Sequence, residues 1–317
     1  MAPGSPPTDD QIRTRLNDLK LPLDPGIKYR LTNLFPKLDG WFINSSIKTK
    51  AKLIREMEHT LEEILQPGEE VLYIAKGIQQ AFLETFFMGA LWAQMINQTG
   101  FVFTNARVLM MRTNGKGKPL KTFWMIYYSE IVSVKGGWAG SLTVKLKDRR
   151  TLAFGGFPKA DRQAIERIVE EAIENYQQTG FAPDTTQSLE DLCCHCFDTV
   201  PKNDYECPEC GATFWKPSQL AIRSLIFPSW GDFLMGHYAF ACFELLGYIV
   251  GLGFVLLSVS MAISNPQGDS VLDAVLVAIA FFAMAHVMDA SLTYIVANKG
   301  LNPRIGPQPH SAEDGED

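Results

Sequence analysis

The chemistry this chain can do is concentrated in one short stretch. Five of its six cysteines fall between Cys193 and Cys210. Cys193 and Cys196 form one CxxC pair, Cys207 and Cys210 a second, and ten residues separate them. Each pair lets two thiolates reach one ion from a tight knuckle, and two knuckles complete a tetrahedron around zinc. Gly211, directly after the second pair, suits a turn that needs a permissive backbone. Cys194 and His195 lie inside the first pair, and either could stand in for Cys193 as a ligand. Four protein ligands leave no open position for water, so a structural zinc is expected rather than a Lewis acid. A redox thiol would call for a single CxxC at a helix N-terminus in a thioredoxin-like pattern, which this sequence lacks. Thiols kept for a metal also require a reducing compartment, so the soluble part is expected in the cytoplasm.

Other reactive patterns are missing. His59, His195, His237, His286 and His310 are scattered, and none pairs with an evident nucleophile. No phosphate-binding glycine loop appears, so the sequence reads as a non-enzyme. Glu244, His286 and Asp289 lie in otherwise apolar runs, where ionisable groups point to an ion or proton site or to a polar clasp between helices. The clasp is the preferred reading, because two helices alone cannot enclose a pathway. Between residues 100 and 150 basic side chains far outnumber Glu130 and Asp148. Of these, Arg112, Lys116, Lys118, Lys121, Arg149 and Arg150 sit at or near predicted turns and are candidates for lipid headgroups or a protein partner. Trp138, among glycines, is a candidate for an interface.

The elements that must carry these residues follow from periodicity. The net charge of −6 gives no global reason to expect nucleic acid. Locally, Glu190, Asp191, Asp198, Asp204, Glu206 and Glu209 outnumber Lys202 around the cysteines, which argues against it again. Residues 1–8 are Pro-rich and expected to be disordered. Ile12, Leu16 and Leu19 predict a short helix, and the 47–65 segment a longer one capped by Ser45 or Ser46. Strands are predicted at 70–78, 101–112, 120–128, 131–135, 142–147 and 151–154, and an amphipathic helix over 158–178. The 82–96 segment is apolar apart from Glu84, and a buried element is preferred over an interfacial helix.

From Leu245 to Ile263 nineteen residues carry no formal charge, enough to span a hydrocarbon core at about 1.5 Å per residue. A second apolar stretch covers 271–297. Lys216 and Arg223 precede the pair, Lys299 and Arg304 follow it, and the connecting loop has neither. Both ends are therefore expected in the cytoplasm. Gly247 and Gly251 would permit close packing on the second helix, or self-association with another copy.

Three resemblances build on these residues. Thr104-Asn105-Ala106-Arg107, then Tyr128-Ser129-Glu130-Ile131-Val132-Ser133-Val134, then the strand at 142–147 and the following helix resemble the bacterial pleckstrin-homology and GRAM-like group over about 67–178. That resemblance implies a small sheet with a capping helix, in a family whose members often bind lipid headgroups or peptides. The two CxxC pairs are similar to the zinc-ribbon group. Pro228-Ser229-Trp230-Gly231 and Gly236, leading into the first span, resemble the approach to two-helix TM2-like bacterial membrane domains, with Ser229 where a glycine is usual.

Together these predict a multidomain α+β membrane protein of the bacterial inner membrane. Its parts would be an N-terminal helical region (1–66), a pleckstrin-like sheet domain (67–180), a linker and zinc ribbon (181–218), a transmembrane hairpin (219–301) and a disordered acidic tail (302–317). The function expected is that of a membrane-anchored scaffold engaging lipids or a protein partner. A small transport or proton-linked component using Glu244, His286 and Asp289, and a tethered nucleic-acid regulator, are the alternatives.

Overall fold

The computed structural model describes residues 6–79, 82–137, 140–179, 183–264 and 270–307. Trp138, the connecting loop over 265–269, the first five residues and the last ten lie outside them.

The chain opens with three helices, α1 (Asp9–Asp18), α2 (Leu31–Leu34) and α3 (Ile43–Ile64). Thr8 caps α1 in a reciprocal box with Gln11. α3 begins earlier than predicted, with Phe42 at its N-cap and no side-chain cap, so neither Ser45 nor Ser46 has the expected role. Its buried stripe, Ile47, Ala51, Ile54, Met57, Leu61 and Ile64, keeps helical spacing and joins the core of the sheet that follows.

That sheet begins with β1 (Val71–Gln79). Two short helices, α4 (Phe82–Met88) and α5 (Ala90–Ile96), interrupt it before β2 (Gln98–Thr104), β3 (Arg107–Thr113) and β4 (Pro119–Tyr127). β5 (Ile131–Gly136), β6 (Leu142–Leu146) and β7 (Thr151–Gly155) follow, then α6 (Lys159–Thr179). Ile165, Ile168 and Val169 of α6 are buried in the same core, as a capping helix requires.

The apolar 101–112 run, expected as one strand, is a hairpin folded at Asn105-Ala106. The turn is fixed by side chains. Thr104 Oγ1 accepts from the N–H groups of Ala106 and Arg107 and donates to Glu69 at 2.6 Å. Arg107 reaches both Glu69 oxygens and the Ile64 carbonyl that ends α3. Tyr128 donates to the Thr104 carbonyl at 2.7 Å. The Thr-Asn-x-Arg step thus ties helix, turn and sheet together. It has little surface left for a ligand, since Glu69 and Arg107 are both buried.

The sheet does not stop at the first domain. β8 (Glu190–Leu192) pairs with β4, and β9 (Thr199–Val200) with β8, giving the order β5-β6-β7-β1-β2-β3-β4-β8-β9. β10 (Thr213–Trp215) leads into α7 (Pro217–Ile226), α8 (Trp230–Leu234), α9 (Tyr238–Ser264) and α10 (Val271–Ala297). The chain then returns as β11 (Asn302–Ile305), antiparallel to β10. The tail predicted to be disordered from residue 302 therefore starts as a strand, held by Trp215↔Asn302 and Thr213↔Ile305 pairing.

α9 and α10 are long and apolar enough to cross a membrane, and only 6% and 0% of their most apolar windows is buried within the molecule. Core helices of a soluble protein would be mostly covered, so these two leave their apolar surface to be covered from outside. Gly251 packs α9 on α10, since a Cβ there would meet the Phe281 ring at 3.1 Å, whereas Gly247 faces open space.

Candidate metal centre and the base of the hairpin

Two antiparallel turns build the cysteine site. In the first, Phe197 N–H donates to the Cys193 carbonyl and Cys193 N–H to the Asp198 carbonyl. In the second, Gly211 N–H donates to the Cys207 carbonyl and Cys207 N–H to the Ala212 carbonyl. The residue four after each leading cysteine is left-handed: Phe197 has φ 61° and Gly211 φ 66°. Glycine adopts this freely. Phe197 is compensated by packing, its ring edge-on to Phe123 at 5.3 Å.

The result is a compact group. Cys193 Sγ lies 3.6 Å from Cys210 Sγ, and Cys196 Sγ 3.4 Å from Cys207 Sγ. One sulfur from each of these four cysteines lies within 4.8 Å of all the others. A tetrahedron with metal–sulfur bonds of about 2.3 Å has edges of about 3.8 Å, so the donors fit a single ion. The group takes Cys193 and leaves Cys194 and His195 outside it. Burial pushes the Cys193 thiol up to about 12, whereas at Cys210 burial is outweighed by hydrogen bonds, which lower the thiol.

A second polar group sits where α7 and α8 meet the two long helices. Asp232, Glu244 and Asp289 place carboxylate oxygens within 4.8 Å of one another. Ser229 organises them. Its N–H donates to Asp289 Oδ2 at 2.6 Å and its hydroxyl to Glu244 at 3.2 Å. Ser229 is left-handed at φ 65°, a conformation that glycine adopts more readily. Thr293 donates to Asp232 and shares a 2.8 Å hydrogen bond with Ser224. Among the described residues no lysine or arginine pairs with the three carboxylates.

His286 is not part of this group. It bonds to Tyr248 Oη at 3.1 Å and to the Leu225 carbonyl at 2.7 Å. α7 therefore descends beside α10 to the depth of His286, and the chain turns back at Pro228-Ser229. Asp232 was missed in the sequence because that reversal, not a shared helix face, carries it to Glu244 and Asp289.

The basic candidates separate. Arg112 is buried, bonding Asn97 and Gln79 with its guanidinium 5.1 Å from the Trp124 ring centre. Burial lowers it to about 10, against the opposing pull of Glu84. Lys116 and Lys118 are exposed on the β3–β4 turn, which Asn114 Oδ1 holds by accepting from the N–H groups of Lys116, Gly117 and Lys118, and Lys121 is exposed near the start of β4. Arg149 and Arg150 lie on the β6–β7 turn, and Arg150 is paired to Asp148 at 2.6 Å.

A third polar contact was not anticipated. Glu84 of α4 is fully buried and pairs with Lys299, just past α10, at 2.5 Å. Asn97 bonds both partners. In sequence the signal was Glu84 itself, the one formal charge between Gly77 and Ala106.

No family model matches the chain, and no curated protein matches it. Among solved structures, the C-terminal domain of an unknown protein from Leishmania infantum is 15% identical, with 38% of this chain and 93% of that one covered and a TM-score of 0.26. The linker-DH/PH domains of p115-RhoGEF are 6% identical, with 42% of each chain covered and a TM-score of 0.26. Scores this low carry no weight for fold or function.

Proposed function

We propose that this chain is a membrane-anchored binding module. α9 and α10 span the bilayer, a structural zinc holds the four-cysteine unit, and the lysine turn of the head engages anionic lipid headgroups. The head would face the cytoplasm. The observation that carries the reading is the direct fastening of head to hairpin. β10 and β11 pair on either side of the two long helices, and Lys299 closes onto Glu84 within the sheet domain. A head fastened in this way keeps a fixed face toward the lipid surface. Lys116, Lys118 and Lys121 stand at the same end of the strands as α4 and α5, which pack against the hairpin. Three lysines near an anionic surface contribute roughly 3 kcal/mol, at about 1 kcal/mol each.

The flanking charges support the orientation. Arg223 and Arg304 both lie over the Trp215 ring, at 4.4 and 4.7 Å from its centre, beside the ends of the hairpin. Zinc, when bound, would cross-link the two turns and supply no reaction chemistry. Glu244 and Asp289 are engaged by Ser229, and His286 by Tyr248 and Leu225, which favours a polar clasp over a transport path. Asp198, Asp204, Glu206 and Glu209 are exposed around the cysteines, which disfavours nucleic acid.

The test uses the full chain in nanodiscs of phosphatidylcholine with or without phosphatidylglycerol. Hydrogen exchange at residues 113–119 is expected to slow when the anionic lipid is present, and Lys116, Lys118 and Lys121 changed together to Gln should abolish the difference. Equal exchange in both lipids removes the headgroup reading and leaves a protein partner, to be sought by cross-linking in native membranes.

A further inference from the structure

α4 and α5 have their polarity turned inside out. The one charged side chain, Glu84, is fully buried against Lys299 and Asn97. Four large apolar ones face away: Phe86 is 72% exposed, Leu91 66%, Met95 46% and Phe87 45%. A soluble helical hairpin presents the reverse arrangement. Four such side chains on two adjoining short helices make a contiguous apolar surface, which water would not leave uncovered.

The inner face shows where this surface lies. Met88, Trp92 and Ile96 pack in one cluster with Phe240 of α9 and Val296 of α10. The Trp92 ring stands 5.5 Å from Phe240 and 5.1 Å from Phe243. Phe243 and Leu246 are themselves 56% and 60% exposed, on the part of α9 that runs into the apolar span. The outer face of α4 and α5 therefore continues the lipid-facing surface of the hairpin at the end where both long helices meet the head.

From this we infer that α4 and α5 form a re-entrant wedge set into the near leaflet, a third membrane contact that dips into the acyl region without crossing it. The inference rests on the membrane-anchored reading above. Its occupant is phospholipid acyl chain. Trp92 lies at the boundary, as an indole with an apolar body and a polar edge prefers. The buried Glu84–Lys299 pair locks the wedge to the end of α10, so its charges never meet hydrocarbon.

The test places the photoreactive residue benzoylphenylalanine, one site at a time, at Phe86, Leu91, Leu256 and Val132 of the full chain in phosphatidylcholine–phosphatidylglycerol vesicles. Leu256 lies on α9 and is 62% exposed, which makes it the positive reference. Val132 is 60% exposed on β5, an edge strand of the sheet, and is the negative one. After irradiation, intact-mass analysis should find phospholipid adducts at Phe86 and Leu91 within about threefold of the Leu256 yield, and at least tenfold above Val132. Adducts at Leu256 but not at Phe86 or Leu91 overturn the wedge alone. Cross-links from Phe86 or Leu91 to another protein chain overturn it in favour of a protein interface. An absence of lipid adducts at Leu256 removes the membrane reading, and the wedge with it.

Discussion

At the scale of single residues, the four-cysteine group is the most constrained feature of the molecule. The two turns repeat the same hydrogen-bond pattern and bring one sulfur from each pair into contact with one from the other. Replacing Cys193 or Cys207 by Ser should lower zinc measured by mass spectrometry from about one ion per chain to a small fraction of that. Cys194→Ser, outside the group, should leave it unchanged. Equal loss at Cys194 would show that the first turn uses a different sulfur. A four-cysteine unit of this size has little apolar core of its own, so loss of the ion should also speed exchange in β8 and β9. This site was legible in the sequence because CxxC spacing encodes a local turn. The carboxylate group was only half legible: Glu244 and Asp289 stood out as charges in apolar helices, whereas Asp232 reaches them through the left-handed turn at Ser229, which no local pattern announces.

At the scale of elements, what could be foreseen depended on how far apart the interacting partners lie in the chain. α3 and α6 follow from 3.6-residue periodicity, and β5 to β7 from alternation and turns, all local signals. The β2–β3 turn was missed because Asn105-Ala106 contains neither glycine nor proline and its stabilising partner, Glu69, comes from the other side of β1. The preference for burying 82–96 holds at Glu84, Ala93 and Ile96 but fails at Phe86, Phe87, Leu91 and Met95, which are exposed; Glu84 reads as an interruption until Lys299 is brought to it. β11 was missed for the same reason, since its strand character depends on β10 across the whole hairpin. The junction offers a direct check. A Cβ on Gly300 would meet Thr122 Cγ2 at 2.5 Å and the Trp124 ring at 2.8 Å. Gly300→Ala should therefore destabilise the molecule by about 1–3 kcal/mol, as overpacking does. The increase in hydrogen exchange should concentrate in β11 and β4. A neutral result would mean that the junction is looser than this contact implies.

At the scale of the whole molecule, the N-terminal helices, the nine-stranded sheet and the first strands of the cysteine unit share one continuous framework rather than hanging as beads on a string. If that framework rides on two spans, the intact chain should stay with membranes through alkaline carbonate extraction. A protease site inserted between Ser264 and Ser270 should be cut from outside sealed cells, while both termini stay protected. Release into the carbonate supernatant would remove the bilayer from the account altogether.

The closure of β10 by β11 also orders the making of the protein. β10 leaves the ribosome before either long helix, whereas its partner strand emerges only after both. The strand pair can therefore zip only once the second helix has delivered Asn302 to the side where Trp215 waits. A chain whose second long helix was misplaced would leave β10 with a bare edge and Glu84 without its cation. Completion of this two-stranded sheet thus reports that both long helices are in place.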